Sequence, residues 1–234
     1  MRHATTAVLA GAAALLLAAC TSQPPAPDWQ ANAHDALQRS LQAWLSGDAR
    51  IEAQEFAKAR SEVARTGRVD LMARVELARC AARVASLVFD ECAGFEPLRA
   101  DAAPAERAYA QYLAGTVRVE DVALLPEQHR ALAAALQAGR ADAATLKGIT
   151  DPLARQVGAG VALRARQASP AITSIAIETA SAQGWRRPLL AWLNVSLMGA
   201  RQAGDGPEEA RVARRIALVQ GPAVEPVSAA ASRP

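Results

Sequence analysis

The placement of its helix breakers constrains this chain more than any other feature. Pro104, Pro126, Pro152, Pro170 and Pro207 each stand at the head of an apolar-periodic stretch, not inside one. Proline is tolerated in the first helical turn because the N–H it lacks has no intrahelical acceptor there. Glu106, Glu127, Glu208 and Glu209 follow three of these prolines, where a carboxylate meets the positive end of the helix dipole. Gly115, Gly139, Gly184 and Gly204 stand where the same helices would stop. No segment alternates with the period of a strand. The nearest is 171–177, but Ile172, Ile175, Ala176 and Ala180 fit helical spacing better. Hydrophobic residues make up 51% of the chain, enough for a packed core, and aromatics only 4%. The expectation is an all-α body over residues 28–220. It should comprise about eight to ten helices joined by short turns, arranged as an array of antiparallel helical hairpins.

Individual helices can be placed. Asp28 opens a stretch to Leu45, Gly47-Asp48 separates it from a charged helix ending near Arg65, and Thr66-Gly67 breaks the chain again. The strongest pattern covers 69–89. Leu71, Val75, Ala78, Ala82 and Val84 lie on one side, with Arg74, Arg79 and Arg83 on the side read as solvent-facing. Over 187–220, Leu189, Leu190, Leu193 and Leu197 form a stripe widened by Trp192, and Gly204-Asp205-Gly206 reverses the chain. In the second helix, Ala210, Ala213 and Ala217 are read as the face of close approach, with Ile216 and Leu218 as bulk. Trp185 and Trp192 share a face with Leu189 and are expected to anchor the C-terminal core; a groove for a partner helix is the alternative.

Across 191–222, Ala210, Ala217, Leu218 and Pro222 fall at the spacing of the second helix of a tetratricopeptide repeat. Gly204-Asp205 resembles that repeat's inter-helix turn. The resemblance implies an α-solenoid or tetratricopeptide-like array. Three departures weaken it: Gly206 is one residue too many in the turn, Ser196, Leu197 and Ala200 replace the usual first-helix residues, and no clean period of about 34 residues runs through the chain.

The N-terminus carries a different signal. Met1-Arg2-His3 is followed by an uncharged run from Ala4 to Ala19, shorter than the ~20 residues a membrane span needs. A basic start, an apolar run and small residues at its end make a secretion signal over residues 1–19. Leu17-Ala18-Ala19-Cys20 resembles the lipobox of bacterial lipoprotein precursors. That resemblance implies diacylglyceryl transfer to the Cys20 thiol, cleavage between Ala19 and Cys20, and, in many bacteria, acylation of the new amine. Thr21 is not the Asp that holds similar lipoproteins at the inner membrane, so the periplasmic face of the outer membrane is expected. Residues 20–27 then form a Pro-rich tether reaching about 20 Å, and 221–234 a disordered tail.

Charge and cysteines narrow the function. Loss of Arg2, with no acid in the signal, takes the formal charge from +3 to +2. That leaves no footprint for nucleic acid. Cys80 and Cys92 remain as a pair in an oxidising compartment. On one straight helix they would stand about 18 Å apart, whereas a disulfide needs Cα atoms within about 7 Å. Asp90, Gly94 and Pro97 supply the break that brings them together. The alternative is two free buried thiols; no His lies near enough for a metal site.

No reaction centre is legible. There is no Gly-x-Ser-x-Gly elbow, Ser-x-x-Lys motif or phosphate loop. Gly158-Ala159-Gly160 reads as a point of close helix packing. His34 and His129 lack metal-ligand spacing and read as surface or boundary residues. Arg164 with Arg166, Arg186-Arg187 and Arg211 with Arg214 and Arg215 read as solvated charge, or as contacts to anionic polymer or lipid. The expected function is that of a lipid-anchored interaction or scaffold protein of the bacterial envelope. It would dock an envelope protein, hold no cofactor or metal, and catalyse nothing. The alternative is a cell-wall-active enzyme using an isolated carboxylate from Glu91, Glu96 or Glu178. A deep polar cleft around such an acid would favour the enzyme, a shallow groove the scaffold.

Overall fold

The computed structural model describes residues 27–221. The signal 1–19, Cys20 with its tether to residue 26, and the tail from 222 lie outside the described residues. Ten α-helices and two 3-10 helices make up the body, and no strand occurs among the described residues. They are α1 (Asp28–Ser46), α2 (Ala49–Ala64), α3 (Val69–Ala85), α4 (Pro104–Leu113), α5 (Glu127–Gln137), α6 (Ala143–Lys147), α7 (Pro152–Arg164), α8 (Pro170–Ala182), α9 (Arg186–Ala203) and α10 (Gly206–Gln220). The 3-10 helices are Glu96–Leu98 and Val119–Leu124.

The breakers act where the sequence puts them. Pro104, Pro152, Pro170 and Pro207 lie in first turns, and Pro126 sits one position earlier as an N-cap. Asp48, Asp142, Asp151, Ser169 and Asp205 cap the helices they precede, each accepting a backbone N–H three residues on. Gly204 ends α9 in the left-handed conformation, φ 67°, which is why glycine stands there.

α3 runs through the middle. It packs on α1, α2, α4 and, most closely, α7. The close approach depends on the two glycines of α7: a methyl at Gly160 would overlap the carbonyl of Val84, and one at Gly158 would strike Leu132. One continuous core extends from Leu41 on α1 to Ile216 on α10, and a smaller cluster lies around Phe56 and Val63. α9 returns to α1, so the C-terminal helices close on the first. Trp185 Nε1 donates to Gln42 Oε1 at 3.3 Å and Arg187 Nε to the Trp44 carbonyl at 2.8 Å. The Trp44 ring carries two guanidinium groups, Arg83 at 4.8 Å and Arg187 at 3.9 Å. The two tryptophans expected to anchor the C-terminal core therefore reach further, joining it to the N-terminal half. Trp192 meets buried Gln156, whose amide oxygen accepts from Trp192 Nε1 at 2.8 Å and whose nitrogen donates to the Ala176 carbonyl at 3.1 Å.

Three expectations need correction. The helix of 69–89 ends earlier, at Ala85, because Leu87 adopts φ 59° and turns the chain. Its arginines do not simply face solvent: Arg79 Nε donates to Glu52 on α2 and Arg74 Nε to Glu106 on α4, each at 2.7 Å. Both carboxylates are buried, while Arg74 stays exposed and Arg79 half-buried. On α10, Ala210, Ala213 and Ala217 are exposed, Leu218 is 82% exposed, and the packing face is Val212 and Ile216 with Val219 behind them.

Candidate functional site

Cys80 and Cys92 are joined in a disulfide, Cα to Cα 5.4 Å. Leu87 and Cys92, φ 59° and 50°, make the reversal that a single helix would have forbidden. Asp90 lies against the two sulfurs, yet sulfurs spent on each other offer no thiolate to a metal. Glu91 and Glu96 are exposed, and Arg99 holds the Glu96 carboxyl below its ordinary range through two hydrogen bonds.

The two largest concavities among the described residues have separate linings. The first is an open groove of about 710 Å³ between α8, α9 and α10. Met198, 54% exposed, stands in it with Ile177 and Val195. Its polar members include Ser174, Glu178 and Arg211. Glu178 is exposed and accepts a hydrogen bond from Ser174 at 3.1 Å. Of the isoleucines beside it in sequence, Ile175 packs into the core, and Ile177 is buried at the edge of the groove.

The second is a cavity of about 580 Å³ among α3, α4, α5, α7 and the second 3-10 helix. Its walls are mostly aliphatic, and four of its polar residues are Glu106, His129, Tyr109 and Asp151. His129 is only 2% exposed, which corrects the surface reading. Its ring lies 4.8 Å from that of Tyr112 and 5.6 Å from that of Tyr109. His129 Nδ1, Tyr112 Oη and Glu106 Oε2 have no hydrogen-bond partner, while Glu106 Oε1 takes Arg74. An unsatisfied buried polar group costs about 1–3 kcal/mol.

Burial pushes the His129 imidazole down to about 4, against the opposing charge of Asp151. Burial also pushes the Tyr109 and Tyr112 phenols well above their usual range. At neutral pH all three are uncharged. A base that titrates so far from neutrality is poorly matched to proton transfer, so this cluster suits holding a ligand better than reacting with it.

Sequence reasoning missed His129 and Glu106. His129, Leu132, Ala133 and Leu136 are spaced i, i+3, i+4, i+7, a signal that places the imidazole on the buried face of α5. Glu106 meets an arginine 32 residues away, and no local pattern reports that.

Comparison with protein-family models, with curated proteins and with solved structures gives no match to this chain.

Proposed function

We propose that this chain is a lipid-anchored interaction protein of the bacterial envelope, held at the periplasmic face of the outer membrane, with the inner membrane as the alternative. Its lipid attaches at Cys20, after the Leu17-Ala18-Ala19 motif. Its body is built of antiparallel helical hairpins closed by the return of the last helices to the first, and its occupant is a segment of an envelope protein. The observation that carries this is the groove between α8, α9 and α10. Its lining holds a half-exposed methionine, Met198, and charged residues of both signs. A flexible thioether on an open surface adapts to an apolar side chain of a partner. The enzyme alternative would use the same groove, whose lining sets Glu178 among Ser174, Arg211 and Arg215; the exposure of Glu178 weighs against it.

Two measurements test the proposal. Cys20→Ala releases the protein from the membrane fraction; full retention would refute the anchor. A photo-crosslinking residue at Met198 gives one discrete adduct in the envelope, absent when the crosslinker stands at Ile51 and suppressed by Gly199→Trp, which projects into open space at the groove. No adduct at Met198, or the same adduct at both sites, would refute the docking role.

A further inference from the structure

The open cavity lined by Glu106 and His129 is separate from the groove, and nothing in the interaction role requires it. Its size lies in the range of small-molecule pockets. Leu41, Leu77, Leu125, Leu153 and Val157 give it an apolar wall that fits a hydrocarbon body. Two residues of its lining, Glu106 and His129, each carry a buried polar atom, Oε2 and Nδ1, that lacks a partner within the protein. The charges lining it balance in sign, with Glu106 and Asp151 against Arg74 and Arg130. An added full charge on a desolvated ligand would meet no net counter-charge. A hydroxyl is suited to both orphans. Its proton goes to the carboxylate oxygen, and its oxygen accepts from the imidazole in the tautomer that carries the proton on Nδ1.

We propose that this cavity binds an uncharged amphiphile, an apolar body with a hydroxyl headgroup. Ala105, Leu124 and Asp151 are solvent-exposed members of its lining and mark the way in. Glu106 and His129 hold the headgroup, and α3 and α7 line the hydrocarbon.

Isothermal titration calorimetry on the full chain carrying Cys20→Ala tests this without detergent. Monooctanoylglycerol, octanoate and octylamine share a chain and differ in head charge. The expected result is one saturable site for monooctanoylglycerol, with both charged probes at least about tenfold weaker. Ala105→Trp, at an exposed position on the lining, and Ala78→Trp, further in, each weaken binding by at least about tenfold with unchanged circular dichroism. Glu106→Gln narrows the preference for the hydroxyl head. Equal affinity for the three heads, tightest binding of octylamine, or undiminished binding in the folded tryptophan variants would overturn the proposal. Repeating the assay with vesicles doped with the same monoacylglycerol separates the sources. Uptake from vesicles assigns a membrane lipid, and uptake only from solution a soluble amphiphile. Uptake from neither overturns the site.

Discussion

Gly160 on α7 lies so close to the main-chain carbonyl of Val84 on α3 that residue 160 has no room for a side chain. Gly199, on the exposed face of α9, has open space around it. Gly160→Ala therefore separates two central helices and costs on the order of 1–3 kcal/mol or more by overpacking. Gly199→Ala removes backbone freedom from the unfolded chain and stabilises by about 0.5–1 kcal/mol. Opposite shifts in thermal melting check the pair, and a harmless Gly160→Ala would mean that α3 and α7 do not touch in this way.

The C-terminal hairpin offers a second contrast. Val212 is buried and Ala213, its neighbour, is exposed. Val212→Asp should destabilise by about 2 kcal/mol or more, through a lost apolar contact and a buried charge. Ala213→Arg should stay within about 0.5 kcal/mol. Urea titrations followed by circular dichroism would show it, and the reverse order would place the wrong face of α10 against α9.

His129 gives the fold a pH dependence. Its pKa falls from about 6.5 unfolded to about 4 folded. The unfolded chain therefore binds a proton more readily between these values, and stability is lost as pH drops from about 6.5 to about 4. The full penalty is about 3 kcal/mol, reached below the folded value. Above about 6.5 the imidazole is neutral in both states and contributes nothing to the slope. In His129→Phe, chemical denaturation across this window should show a shallower decline; an unchanged slope would contradict the burial of the imidazole.

The disulfide closes a short loop, with Cys80 and Cys92 separated by 12 positions. In the chain-entropy model its removal costs about 3 kcal/mol, roughly a 10 °C fall in melting temperature for a body of this size. Melts with and without reductant measure it. Thiol labelling of the denatured, unreduced protein should find residues 80 and 92 unreactive, and two reactive thiols there would refute the bond.

Much of the fold was legible because it is local. Pro104, Pro152 and Pro170 announce helix starts by a property of one residue, and Gly158 with Gly160 announce close packing by the absence of a side chain. That Cys80 and Cys92 need a turn between them follows from bond geometry, but the turn itself falls at Leu87 and Cys92, not at the breakers Asp90, Gly94 and Pro97. Packing partners were not legible. Arg79 finds Glu52 and Arg74 finds Glu106 only after the helices are laid side by side. The cavity beside Glu106 and His129 is a space left by several helices, so no segment encodes it. His129 and Val212 stand between these cases. Their helical spacing marks the buried face, but residue type pulled the imidazole towards the surface, and the small alanines of α10 suggested a closer approach than Val212 and Ile216 permit.

The clasp in which Arg187 and Arg83 hold Trp44, with Trp185 on Gln42, bears on how such a chain can change over generations. An open stack of hairpins lengthens by duplication, because each unit meets only its neighbours and a new one inserts without disturbing the ends. Here the last helices must come back to the first. A duplicated hairpin would push α9 away from α1 and strand both tryptophans in water. Lineages descended from this chain should therefore keep the number of helices fixed and vary in the loops.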